Sequence, residues 1–125
     1  MQMSLSSRLA DRERELGRPV RIGLAGAGQM GLGFVAQVRR IPGMEIAAIA
    51  DVLPGRPKEA FAQAGVDGVV EGDDTAKLAE AVADGRPVGL TDGRMLVDLP
   101  VDVVVDATGV PDVGALLSYL SLIHI

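Results

Sequence analysis

From Val20 to Gly31 the chain reads V-R-I-G-L-A-G-A-G-Q-M-G: an alternating apolar run enters glycines spaced G-x-G-x-x-G and continues at helical periodicity. Few patterns constrain a fold as tightly, because each glycine has its own steric task. Gly26 permits a tight turn, Gly28 lets the backbone approach a ligand, and Gly31 lets a helix pack closely on the preceding strand. Val20, Ile22 and Leu24 alternate as a strand requires. Met30, Phe34, Val35, Val38 and Ile41 then recur at helical spacing until Pro42-Gly43 stops the helix.

Such a turn points to phosphate, since the free N–H groups and dipole of a helix N-terminus favour negative charge. A second apolar run, Glu45 to Ala50, delivers Asp51 twenty residues after Gly31. In a dinucleotide cradle an acid at that place accepts hydrogen bonds from the adenosine ribose hydroxyls. A glycine-rich turn holding no ligand would contain the same glycines, but strand, helix and acid in register favour the cradle. The carboxylate of Asp51 would repel a 2′-phosphate, which favours NAD over NADP; Arg56, five residues later, keeps the opposite preference open.

Beyond Asp51 the pattern alternates helix and strand, which implies an α/β fold with a doubly wound parallel sheet of Rossmann type. Pro57 to Ala64 reads as a helix that Gly65 ends, and Gly68 to Glu71 as a short strand. Asp74 is placed to cap a helix from Thr75 to about Ala83, with Leu78, Ala79 and Val82 inward and Gly85 ending it. Val88 to Leu90 fits a short strand and Gly93 to Asp98 a small helix. Val101 to Asp106, nearly all valine, fits a central strand buried on both faces. The loop after it, Ala107-Thr108-Gly109, is expected at the same crevice as the glycine turn, where Thr108 and Gly109 offer a hydroxyl and an open backbone to the nicotinamide half. A plain turn with Pro111 opening the next helix is the competing reading.

Composition excludes several function classes. A net charge of −5 without a Lys/Arg block gives no concentrated positive face for nucleic acid. No apolar stretch reaches the roughly 18 residues of a membrane span, and none near the N-terminus resembles a signal peptide. The absence of cysteine removes thiolate chemistry and fits a cytoplasmic location. Ser4 to Gly17 reads as a charged helix packed lightly on the domain, with Leu5, Leu9 and Leu16 on one side. Asp67, Glu71, Asp73 and Asp74 match no metal-binding loop and read as caps and turns, so no metal site is expected. No G-x-S-x-G elbow or nucleophile with an adjacent base is present, which removes hydrolases.

From Ser4 to about Tyr119 the chain resembles the N-terminal part of homoserine dehydrogenase-like NAD(P)-dependent oxidoreductases, in the branch carrying a C-terminal SAF domain. The lead helix, the Val20 to Gly31 segment, the strand ending at Asp51, and Asp106-Ala107-Thr108-Gly109-Val110-Pro111 follow that pattern in order. The resemblance implies that Gly26, Gly28, Gln29, Met30 and Gly31 hold the pyrophosphate, Asp51 the adenosine ribose, and Thr108 and Gly109 the nicotinamide ribose region. It also implies hydride transfer between NAD or NADP and a small alcohol or carbonyl compound, with substrate and catalytic residues in a later domain. The substrate and catalytic residues are therefore unassigned.

The organisation expected is a lead helix over 1–19, a truncated dinucleotide-binding domain over 20–119, and a tail over 120–125. That tail matches the translation of a transposon-end sequencing adapter and is expected to be non-native, which discounts His124, the one histidine. The 125 residues alone are expected to lack activity; homo-oligomerisation of the parent is left open. The alternative class is a regulatory module that senses NAD(H) without catalysis.

Overall fold

Alternating strand and helix patterns become alternating elements because each parallel strand needs a crossover helix before its neighbour can be laid down. The computed structural model describes residues 5–26 and 29–107. Its elements are α1 (Leu5–Leu16), β1 (Val20–Ala25), α2 (Gln29–Val38), β2 (Met44–Ala50), α3 (Arg56–Gln63), β3 (Val70–Glu71), α4 (Thr75–Ala83), β4 (Val88–Leu90), a 3-10 helix (Gly93–Asp98) and β5 (Val103–Asp106).

The strands form one five-stranded sheet in the order β3-β4-β2-β1-β5. Every pairing is parallel. The chain moves outward from β1 through β2 to the β3–β4 edge, then crosses to the other side of β1 for β5. Strand order thus reverses at β1, between β2 and β5. This is the doubly wound, Rossmann-like α/β arrangement that the sequence pattern implies.

Two hydrophobic layers cover the sheet. On one face Ile22, Leu24, Ile49 and Val105 pack with Phe34 and Val35 of α2, Phe61 of α3 and Leu9 of α1. On the other, Ala48, Ala50, Val88 and Leu90 pack with Leu78 and Val82 of α4 and with Leu96 of the 3-10 helix. α1 docks on the domain through Leu9, which is fully buried, while Leu16 is 41% exposed. Gly43 makes this possible. At φ +87° it presents no side chain to α1, and a Cβ there would lie 3.0 Å from the Leu9 carbonyl oxygen.

Several elements differ in detail from their sequence expectation. α2 ends at Val38, and the chain reaches Ile41 through tightened turns, Arg40 N–H donating to Gln37 and Ile41 N–H to Val38. In α4 it is Ala81, with Leu78 and Val82, that is buried, and Ala79 is only partly so. Asp74 does cap α4, its carboxylate accepting the N–H of Ala76 at 3.1 Å and of Lys77 at 3.4 Å. β5 begins at Val103, and among the described residues it pairs with β1 alone. Its valines alternate: Val105 is buried and Val104 is 42% exposed. The valine run reflects strand propensity, whereas the number of neighbours depends on long-range pairing.

Candidate functional site

The carboxyl ends of β1, β2 and β5 are brought to one level by hydrogen bonds that continue the ladder one residue past each strand. Gly26 N–H donates to Ala50 at 2.8 Å, Asp51 N–H to Leu90 at 3.0 Å, and Ala107 N–H to Ala25 at 3.0 Å. The three strand ends therefore lie together, at the place where strand order reverses. In open α/β sheets that is where ligands lie.

Gly26 adopts φ +97°, a conformation that L side chains rarely take. The glycine permits this backbone conformation while its N–H stays in the ladder. Immediately beyond, a cavity of about 280 Å³ opens between the strand ends, lined by Gly26, Asp51, Val52, Thr91, Gly93 and Asp106 together with Ala25 and Ala50. Its size is close to the lower end of the roughly 300–1,000 Å³ usual for small-molecule sites.

Asp51 has a structural task as well as a place in this wall. Its Oδ1 accepts the N–H of Leu53 at 2.9 Å, an Asx turn that shapes the loop into α3. Val52 and Leu53 are left 82% and 51% exposed beside the cavity. Between the lining residues Thr91 and Gly93, Asp92 caps the 3-10 helix, accepting the N–H of Arg94 at 3.0 Å and pairing with its guanidinium at 3.1 Å. Those hydrogen bonds, from the side chain first and then the backbone, hold the Asp92 carboxyl below its usual range. Neither Arg94 nor Arg56, the first residue of α3, lines the cavity.

Of the residues singled out from sequence, the structure brings Gly26 and Asp51 into one cavity and places the backbone of Gln29, Met30 and Gly31 in the first turn of α2. Gly28, Thr108 and Gly109 lie outside the described residues. Sequence reasoning missed Asp106, Thr91 and Gly93. The signal for Asp106 was its place at the end of a strand, directly before the loop assigned to the crevice; Thr91 follows β4 in the same way.

A second cavity of about 280 Å³ lies at the opposite, amino ends of the strands, with Val35, Val38, Met44 and Phe61 in its walls. Nearby is an ionic network that ties the fold together. Arg18 forks onto Asp102 at 2.8 and 3.1 Å, Arg21 N–H donates to Asp102 at 2.7 Å, and Arg21 Nε lies 3.8 Å from Glu45. Burial pushes the Asp102 carboxyl up, but the hydrogen bonds from Arg18 and Arg21 outweigh it and leave it lowered. Glu45 is raised, because desolvation exceeds the attraction of Arg21 and Arg18. This network joins the α1–β1 linker to β5 and lies at the far end of the sheet from the glycine turn.

Among the described residues no three His, Cys, Asp or Glu side chains are grouped to hold a metal ion, and no helix is long and apolar enough to cross a membrane. No protein-family model matches the chain, and a search of curated proteins returns no match.

Proposed function

We propose that this chain is the NAD(P)-binding domain of an oxidoreductase, in which a parent protein transfers a hydride between the nicotinamide and a small alcohol or carbonyl substrate. The observation that carries this reading is the cavity at the strand-order reversal, with Gly26 in its left-handed turn on one side and Asp51 on the other. The residues suit a dinucleotide. Gly26, whose own N–H is taken by Ala50, would leave room for the pyrophosphate, the backbone N–H groups at the start of α2 would hold it, and Asp51 would accept from the adenosine ribose. When bound, the cofactor supplies the hydride chemistry, while this domain binds and orients it. A negative Asp51 favours NAD over NADP.

The likeness to homoserine dehydrogenase-like proteins rests on the motifs, above all the glycine turn and the D-A-T-G-V-P stretch. On that likeness the substrate-binding and proton-transfer residues would lie in a separate domain. The test is a titration of the chain with NADH, followed by cofactor fluorescence, beside the variant Gly28→Val. Saturable binding that the substitution abolishes supports the reading. No saturation at millimolar NADH, or equal binding by Gly28→Val, refutes it.

A further inference from the structure

We propose that the cavity at the amino ends of the strands is a second ligand site, one that takes a small monocarboxylic acid, with its apolar body against Val38, Met44, Phe61 and Val66 and its carboxylate on Arg39. Such a site is independent of the dinucleotide reading, whose cavity lies at the other end of the sheet.

Unequal strands create the space. β2 runs from Met44 to Ala50, but β4 joins it only at Ala48. Met44, Glu45 and Ile46 pair with β1 and, among the described residues, meet no strand on their other side. The chain arriving from α4 cannot extend β4 backward, because the Arg86 N–H is already donated to Ala81 at 2.9 Å and Pro87 has no N–H. What remains is a gap of about 280 Å³ in the plane of the sheet, with Val38 and Phe61 of one hydrophobic layer and Val82 of the other in its walls. That is the space of about nine waters in the liquid, room for an apolar body of phenylpropyl size.

The charges around the gap select the head group. Arg39, Arg86 and Glu45 line it. Glu45 is matched, its Oε1 lying 3.8 Å from Arg21 on β1, and Arg86 shares an exposed pair with Asp84 at 3.3 Å that contributes little. Arg39 differs. It donates to the Ala64 carbonyl at the end of α3, and among the described residues no acid pairs with it. A guanidinium carries five N–H donors in a planar fork, so that bond leaves donors for a carboxylate. The partial negative charge of the helix C-termini gathered here would oppose an anion, but the ends of α3 and α4 are covered, Ala64 by Arg39 and Ala83 by Arg21 at 3.3 Å. An apolar gap beside an arginine without an acid partner fits a molecule with an apolar body and one negative head.

The experiment maps amide chemical shifts of the full isotope-labelled chain during titration with 4-phenylbutanoate and, separately, with 4-phenylbutanamide, which has the same shape and no charge. Arg39→Gln is titrated with both. The expected result is a saturable set of shifts at Met44, Ile46, Val66 and Arg86, with the acid binding about fivefold or more tighter than the amide, the effect of one unit charge about 4 Å away in a water-like dielectric. In Arg39→Gln the acid should lose that advantage while the amide binds as before. No saturable shifts at those positions with millimolar acid overturns the site. Equal affinity for acid and amide in the unmutated chain overturns the carboxylate assignment, and that readout does not depend on how well a variant folds. An acid preference that survives intact in Arg39→Gln overturns the role of Arg39.

Discussion

Replacing Asp102 with alanine should cost about 2 kcal/mol at neutral pH, and the loss should vanish in acid. The carboxylate accepts three hydrogen bonds, two from the Arg18 guanidinium and one from the Arg21 backbone. Hydrogen bonds to charged groups contribute about 1.5–3 kcal/mol when well shielded, but exposed ion pairs contribute only about 0–1 kcal/mol. The side chains of Arg18 and Asp102 are 28% and 27% exposed, which places the pair between those limits. At about 4 °C per kcal/mol for a domain of this size, the expected fall in Tm is about 8 °C. Because the folded state lowers the Asp102 pKa, its contribution is fully present above the unfolded value of about 4 and is lost as pH falls through the lower folded value. Urea unfolding of the unmutated chain and Asp102→Ala across that range should show two curves that converge as pH drops. Coincident stabilities at pH 7, or a difference that persists unchanged into acid, would refute the reasoning.

Three further substitutions probe other parts of the fold. Asp74→Ala removes the cap of α4 and should lower the urea-unfolding stability by about 1 kcal/mol. Gly43→Ala combines left-handed backbone strain with a Cβ 3.0 Å from the Leu9 carbonyl oxygen, and should cost about 2–3 kcal/mol by the same measurement. Glu45 has a raised pKa, so its contribution has the opposite sign of pH dependence to that of Asp102: it is fully present below the unfolded value and is lost as pH rises through the folded one. Glu45→Gln should remove that slope from the stability profile above the unfolded carboxylate value.

The sequence disclosed most about elements whose residues carry their own instructions. β1, α2 and β2 could be read because alternation, helical spacing and glycine placement are local, and Asp74 announced α4 as a side chain that competes for its first N–H groups. The 3-10 helix at Gly93–Asp98 was visible as a short helical stretch, though not its tightened geometry. What could not be read depends on partners far along the chain. Arg18 and Asp102 are 84 residues apart, and no local pattern pairs them. Asp106 could be located at a strand end, but its entry into the cavity with Asp51 follows from the positions of β2 and β5 on either side of β1. The candidate site was thus legible on its glycine and Asp51 side, where a motif reports it, and hidden on its Thr91 and Asp106 side, where only topology does.

Amide chemical-shift mapping of the isotope-labelled chain during titration with NAD tests the location of the site most directly. The expected result is a saturable set of shifts centred on Gly26, Asp51, Val52, Thr91 and Ala107, at the carboxyl ends of the strands. Amides near the opposite cavity, such as Met44, Glu45 and Arg86, should remain in place. Shifts centred on that amino-end cavity, or no saturable shifts at all, would contradict a dinucleotide site at the strand-order reversal.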